Sequence, residues 1–307
     1  MKLENFLYRR SGKEKHTIDL KKDAYKALTT KAPRFFFLAG DNLPIEPLVT
    51  GAYEPQIRDF IDYAAACGNA DFLIDIGANI GLTTCQSGMH FKEVHLFEPN
   101  PTCVAILKLN TRIALGAGNY HIHEYGLGES ARKATLKVPV GNMGGAFIND
   151  GANSYSEEIL MMKDNFRSIN KENYIEESIR IESAEVVLGD LLRDLKSRGL
   201  HSGVIKIDVE GYEPVILNSL NRVPDDMSLV IIFESWDKSY DFSTLLTLFN
   251  KRATGFRLKS RRSYKNLLHR VLKKITNRYA ADEDYMLEPF AGMDASGDLV
   301  ISIEKLG

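Results

Sequence analysis

Phe72-Leu73-Ile74-Asp75-Ile76-Gly77-Ala78-Asn79-Ile80-Gly81-Leu82 is the stretch on which the reading of this chain turns. Phe72 to Ile76 is an apolar run of strand length. Gly77 to Gly81 is a turn of small residues, and Leu82-Thr83-Thr84-Cys85 opens a segment of helical character. Strand, glycine turn and helix form the opening of an α/β nucleotide-binding unit. Glycine suits such a turn because a side chain would hold a ligand away from the backbone. The helix start adds N–H groups that favour a carboxylate or phosphate.

Working outward, Glu93-Val94-His95-Leu96-Phe97 reads as a second strand, ending in Glu98. An acidic residue about 20 positions past such a turn bonds ribose hydroxyls. A carboxylate there accepts a free vicinal diol and repels a phosphate. The dinucleotide fingerprint G-x-G-x-x-G fails: counted from Gly77, Asn79 and Leu82 stand at the second and third glycine positions. That weakens a nicotinamide oxidoreductase.

Asp75-x-Gly77-x-Asn79-x-Gly81 with Glu98 resembles the S-adenosylmethionine turn of class I methyltransferases. Two further pieces are Phe97-Glu98-Pro99-Asn100-Pro101 and Ile205-Lys206-Ile207-Asp208-Val209-Glu210-Gly211-Tyr212-Glu213. With them, roughly residues 48–234 resemble the FkbM-type methyltransferase family, mostly O-methyltransferases. The resemblance implies an α/β, Rossmann-like, mostly parallel seven-stranded sheet with helices on both faces, and S-adenosylmethionine as cofactor. It implies cofactor contacts from Asp75, Gly77, Ala78, Asn79, Gly81, Glu98, Asn100 and Asp208, and it puts the turn at Gly126-Leu127 beside the adenine. Asp75 either braces the glycine turn or takes a hydrogen bond near the cofactor's amino group. The element Gly51-Ala52-Tyr53-Glu54-Pro55 implies a helix closing over the cofactor, with Tyr53 and Glu54 near the acceptor. The alternative for Glu54 is a plain helix start, with its charge near the positive end of the dipole.

The bulk numbers set bounds. The 307 residues suit one decorated α/β domain, and 44% apolar residues supply a core. A net charge of −2 gives no field pointing to nucleic acid. Cys67, Cys85 and Cys103 form no C-x-x-C pair, so neither a disulfide framework nor a zinc site is suggested. With a charged N-terminus and no run long enough to span a bilayer, a cytoplasmic setting is expected.

The domain reading is an N-terminal helical cap, 1–70, and a methyltransferase domain, 71–307, with insertions at about 141–178 and 259–290. Gln56 to Ala66 has helical spacing, and a helix after Pro101 ends near Asn110. His121 to Tyr125 alternates like a third strand, His121 and His123 sharing a face without a third metal ligand in view. Thr135 to Pro139 and Ile179 to Ile181 read as strands, and Val186 to Leu195 as a helix. Gly141-Asn142-Met143-Gly144-Gly145 is a glycine-dense loop, either a wide turn or an opening for substrate beside Asn142. Leu229 to Phe233 is a buried strand ending at Glu234, followed by a helix from Ser243 to Lys251. Strands at Phe256 to Lys259 and Leu299 to Ile303 complete the sheet. Between them, residues 259–278 combine basic residues with an apolar stripe and read as an amphipathic helix. Its basic face is either simply solvated or a contact for anionic lipid or a phosphorylated acceptor.

Methyl transfer to oxygen needs the acceptor in line and a place for its proton. Val204 to Val209 reads as a strand expected beside the cofactor strand, with Lys206, Asp208 and Glu210 alternating onto one side, and Asp208 at its carboxyl end is the first candidate base. Lys206 either holds a neighbouring carboxylate ionised or contacts the acceptor, because a lone buried lysine is costly. Glu210 and Glu234 are second candidates. Two alternatives stand beside this. Asp208 and Lys206 form one structural ion pair, or Asp208, Glu210 and Glu234 gather a divalent cation; no metal is assigned. The expected acceptor is a hydroxyl of a saccharide or small secondary metabolite. The rivals are an RNA ribose 2'-O-methyltransferase and a non-catalytic membrane- or glycolipid-binding module of the same fold.

Overall fold

The computed structural model describes residues 47, 52–150, 160–161, 166, 168–235, 241–249, 253–263, 282–292 and 297–304. Most of the expected cap, 1–46, therefore lies outside the described residues, as does 264–278 of the basic insertion. In chain order the elements are α1 (Pro55–Ala66), β1 (Phe72–Ile76), α2 (Leu82–Ser87), β2 (Glu93–Phe97), α3 (Pro101–Leu115), β3 (Tyr120–His123), β4 (Gly126–Gly128), β5 (Arg132–Pro139), β6 (Phe147–Ile148), β7 (Tyr174–Ser183), α4 (Ala184–Ser197), β8 (Ser202–Ile207), α5 (Glu213–Ser219), β9 (Ser228–Ser235), α6 (Phe242–Thr247), β10 (Ala253–Ser263), β11 (Asp282–Pro289) and β12 (Gly297–Ile303).

One sheet has the order β11-β10-β12-β9-β8-β1-β2-β3. Its five strands from β9 to β3 are mutually parallel. β12, β10 and β11 continue it with antiparallel pairings. The fold is α/β and Rossmann-like as expected, but the sheet has eight strands, not seven. The strand not expected is β11, in the insertion placed at about 259–290, and the start of the stretch read as a basic helix is strand as well. β10 runs on through Ser263, and its register sets Arg261 and Arg262 opposite Asp284 and Glu283. Lys259 Nζ lies 2.9 Å from Glu288 Oε2 across the same ladder. An opposite-charge pair such as Lys259–Glu288 across an antiparallel ladder favours it, and residues 259–263 are strand rather than helix.

Side-chain alternation sorts the two faces of the sheet. Phe72, Ile74, Ile76, Ile205 and Ile207 point into a core closed by Leu188, Leu192 and Leu195 of α4 and by Ile216 and Leu217 of α5. Leu73, Val204, Val230, Ile232 and Val300 point the other way, against Ile57, Phe60 and Ile61 of α1. The polar residues interleaved with this second set, Asp75, Lys206, Glu234 and Asp298, consequently share the α1 face. Two helices overrun or shorten the sequence reading. α3 continues past Asn110 because Asn110 Nδ2 donates to the Ile80 carbonyl at 2.7 Å and Thr111 Oγ1 to the Leu107 carbonyl at 2.8 Å. The helix expected over 243–251 is the six-residue α6.

The segment read as an insertion at 141–178 is partly structural. β6 and the first half of β7 lie in it, and they join a second sheet of order β4-β7-β5-β6. This sheet lays Leu136, Val138, Ile179 and Ile181 over Ile80 and Leu82 of the glycine turn. It forms a roof above the carboxyl ends of the parallel strands. Among the described residues no helix is long and apolar enough to cross a membrane.

Candidate functional site

The glycine turn is held by the protein itself. Gly77 N and Ala78 N both donate to the Phe97 carbonyl, at 2.9 and 3.0 Å. Gly77 has φ +84, and a Cβ there would sit 1.8 Å from the Asp208 carbonyl oxygen. The glycine is therefore demanded by the close approach of the two strand ends, not only by a ligand. Asp75, 1% exposed, lies beneath the turn and accepts from Thr84 Oγ1 at 2.5 Å. Its other oxygen is 3.8 Å from Lys206 Nζ, the parallel register having set Asp75 beside Lys206. That placement matches the bracing alternative, and Asp75 does not line the cavity described next.

A cavity of about 330 Å³ opens where β1, β2, β8 and β9 end, under the roof of the small sheet. Ligands of open α/β sheets bind beyond the carboxyl ends of their strands. Of the residues expected for a cofactor, Gly77, Ala78, Asn79, Glu98, Gly126, Leu127 and Asp208 line it. So do the expected catalytic and acceptor residues Lys206, Glu210, Tyr53, Glu54, Asn142 and Glu234. Gly81 and Asn100 stay outside with Asp75. Asn100 is the N-cap of α3, its side chain accepting from Thr102 N at 3.0 Å. Gly81, with φ +84, is the N-cap of α2.

Glu98 is 6% exposed. Its Oε2 accepts from Asn79 N at 2.8 Å and its Oε1 from Asn100 N at 2.7 Å. Burial pushes its pKa up to about 7 against the pull of those two N–H groups. Each oxygen retains a lone pair. Asn79 Oδ1 is buried with no hydrogen-bond partner among the described residues. The wall thus holds acceptors that a hydroxyl- or amino-bearing ligand would satisfy.

Beside the main cavity a smaller one is walled by Glu54, Lys206, Asp208, Glu234 and Asp298. Lys206 Nζ donates to Asp208 Oδ2 at 3.0 Å. Burial alone would depress the Lys206 ammonium, but Asp208, Asp75 and Glu54 outweigh it and hold it above its usual range. β8 ends at Ile207, and Glu210 (φ +52) and Gly211 (φ +101) turn the chain there. Lys206, Asp208 and Glu210 therefore do not alternate along one strand. The turn is fixed instead by Glu213, whose carboxylate accepts from Val209 N and Gly211 N at 3.0 and 2.9 Å. Among the described non-glycine residues, positive φ occurs at Glu54, Asn79 and Glu210, and all three line the main cavity. Backbone strain of that kind concentrates at functional sites.

Asp298 was not foreseen. The antiparallel register of β12 on β9 sets it directly opposite Glu234. Like charges so placed repel, and burial followed by Asp208 and Asp298 pushes Glu234 up to about 7. Roof residues Met143 and Phe147 also escaped sequence reasoning, as did Tyr212. Tyr212 donates to Asp150 Oδ2 at 2.5 Å and accepts from Arg132 at 2.8 Å, tying α5 to the roof. A lone aromatic after Gly211 carried no signal for this. The histidines expected to share a face do so: the His121 and His123 rings stack on His95, with centroids 4.8 and 5.5 Å away.

This chain is similar to several known proteins. The curated methyltransferase sdnD of Sordaria araneosa is 25% identical over 182 residues, which are 55% of this chain and 67% of that protein. Among solved structures, an O-methyltransferase from Bacillus cereus in complex with SAH aligns over 99% of this chain and 95% of its own, at 9% identity and TM-score 0.37. The precorrin-6y C5,15-methyltransferase of Geobacter metallireducens GS-15 aligns over 81% and 87%, at 10% identity and TM-score 0.37. Residues 75–258, from Asp75 of β1 to Leu258 of β10, match the methyltransferase FkbM domain, and with more than half of its length so matched this chain belongs to that family.

Proposed function

We propose that this methyltransferase uses S-adenosylmethionine and transfers its methyl group to a hydroxyl oxygen of a saccharide or small secondary metabolite. The observation that carries the cofactor reading is Glu98: a buried carboxyl at the tip of β2, bonded into the glycine turn and facing the cavity. Its remaining lone pairs suit the ribose diol, and the orphaned Asn79 Oδ1 is an acceptor beside it. Gly126 and Leu127 also line the cavity, where the family resemblance puts the adenine. When bound, the cofactor supplies an electrophilic methyl group on a sulfonium. The chain's part is to orient the acceptor, exclude water with the roof and take up a proton.

The acidic surroundings of Lys206 support a neutral, hydroxyl-bearing acceptor, since Lys206 is already paired with Asp208 and the other groups around it, Glu54, Glu234 and Asp298, are carboxyls rather than cations. Asp208 is held by Lys206 at 3.0 Å, a geometry that fits both a base and an ordering ion pair. Three cysteines without disulfides suit a reducing, cytoplasmic setting. Calorimetric titration with S-adenosylmethionine and S-adenosylhomocysteine tests the cofactor. Binding of both to the native chain, and at least tenfold weaker binding to Glu98→Ala, is expected. No heat with either ligand would end this reading.

A further inference from the structure

We propose that Glu54, held over the site by Gln86, is the residue that takes the acceptor's hydroxyl proton, and that entry of the sulfonium ionises it for that task. This rests on the S-adenosylmethionine reading above. The argument starts from the backbone. Glu54 precedes Pro55 and is the N-cap of α1, yet it has φ 42 and ψ 64. A left-handed conformation is costly for a non-glycine residue. The position also makes no capping bond with its own side chain. A helix start needs neither feature. The conformation instead turns the carboxyl toward the sheet, where Glu54 lines both the main cavity and the smaller one beside Lys206.

Gln86 fixes that conformation. Its Oε1 accepts from Tyr53 N at 2.9 Å, and its Nε2 donates to the Tyr53 carbonyl at 3.2 Å. Nε2 also donates to the Leu82 carbonyl at 2.9 Å. One side-chain amide therefore clips the segment before α1 to α2, the short helix that leaves the glycine turn. The strained residue and the expected cofactor turn are joined by a single side chain. Gln86 does not line the cavity, so its part is positioning.

The charges facing Glu54 come from every neighbouring element: Lys206 on β8, Asp208 after it, Glu234 on β9 and Asp298 on β12. Burial, only partly offset by Lys206, pushes Glu54 up to about 8, with the three acids adding to the rise. At neutral pH it is protonated and cannot act as a base. A positive sulfonium in the adjoining cavity favours the ionised form. In the transfer, the acceptor O–H bond breaks and its proton passes to the Glu54 carboxylate. The oxygen's electron pair forms the new bond to the methyl carbon, and the C–S electrons stay on sulfur as the neutral thioether. The proton then leaves to solvent, which balances the loss of the sulfonium charge.

The experiment needs no acceptor. S-adenosylmethionine carries the sulfonium, whereas S-adenosylhomocysteine lacks it, and protons released through Glu98 or the ribose contacts are common to both. Titration calorimetry of the full chain between pH 6 and pH 7.5 reads the ratio of the two affinities. The expected result is that the ratio favours S-adenosylmethionine by up to about tenfold more per pH unit as pH rises, one proton being released. Glu54→Gln loses this pH dependence while keeping its affinity for S-adenosylhomocysteine, which also shows that it is folded. Gln86→Ala shifts the pH midpoint of the ratio. A native ratio that is flat with pH, or a slope that survives Glu54→Gln, overturns the proposal. Binding of neither ligand to the native chain overturns the cofactor reading itself and this inference with it.

Discussion

The two ends of the same parallel strands treat their carboxylates in opposite ways. At the amino ends, Asp71 accepts from His201 N, Ser202 N and Ser202 Oγ at 2.9–3.0 Å and pairs with Lys92 at 2.6 Å. Glu93 accepts both prongs of the Arg198 guanidinium at 2.5 and 2.8 Å and the Asn119 amide at 3.1 Å. Arg198, with His95 assisting, pulls Glu93 down to about 2 despite its burial. At the carboxyl ends, burial wins. Glu98, Glu213 and Glu234 rise to about 7 and Glu54 to about 8. The amino end contains finished ion pairs that join β1, β2, β8 and α4. The carboxyl end crowds acids around Lys206 at a cost in stability, which is the signature of a site arranged for a ligand.

The largest test of this contrast removes Glu93. Glu93→Ala leaves Arg198 with Asp194 alone and strips His95 of its 2.9 Å partner. Losing one side of a buried charge pair costs about 3–5 kcal/mol, and Arg198, being partly exposed, puts this case at the low end of that range. Urea unfolding should show that loss while affinity for S-adenosylhomocysteine stays unchanged. A weakened affinity would mean that the two ends are coupled and the division is false.

Glu98→Ala should do the reverse. Loss of the ribose acceptor is expected to weaken S-adenosylhomocysteine about 100-fold, or about 2.7 kcal/mol. Stability should fall by less than for Glu93→Ala. Two backbone N–H groups lose their acceptor, but a carboxyl that burial penalises also disappears. Calorimetry and urea unfolding on the same preparation separate the two quantities.

The contrast explains what could be read in advance. β1, β2, β8 and β9 were legible because each is a short apolar run closed by glycine or an acid, a local signal. Glu98 was legible because its distance from Gly77 is a chain property. Asp298 was not, because it meets Glu234 only through the antiparallel return of β12. β11 was hidden for the same reason: Asp282 to Glu288 lacks clean alternation, and it becomes a strand only in register with β10. Gly77 was found on an incomplete argument, since what crowds it is the Asp208 carbonyl rather than a ligand alone. The residue before Glu54, Tyr53, is held by Gln86, 33 positions away, and no local pattern announces it.

pH offers a third and smaller test. Measured without cofactor, the folded chain keeps protons on Glu98, Glu213 and Glu234 between the ordinary 4.5 and about 7, where the unfolded chain has released them. Stability must then fall as pH rises through that interval, and Glu54 extends the fall to about 8. Glu93 works in the opposite sense. Its folded pKa is depressed, so its contribution is full above about 4.5 and is lost as pH falls toward about 2. The expected profile is highest near or just below pH 4.5 and falls from there toward pH 8. Glu234→Gln should make the alkaline side shallower and leave the acid side alone. A profile that is flat from pH 5 to pH 8 would remove the strain assigned to the carboxyl end.

The smallest effect sharpens the boundary of the site. Asn100 follows Glu98 by two residues, and the sequence pattern placed it among the cofactor contacts. In the fold its side chain is turned away from the cavity to accept from Thr102 N, and only its backbone N–H serves Glu98. Asn100→Ala keeps that N–H and loses the cap. Removing such a cap costs about 1 kcal/mol of helix stability. The expected outcome is a small fall in unfolding free energy with S-adenosylhomocysteine affinity intact. If affinity falls tenfold while stability does not change, the Asn100 side chain reaches the ligand and the wall of the site must be redrawn to include the start of α3. If both hold as expected, the motif's two polar residues divide the labour: Glu98 faces the ligand, and Asn100 holds the helix that keeps Glu98 in place.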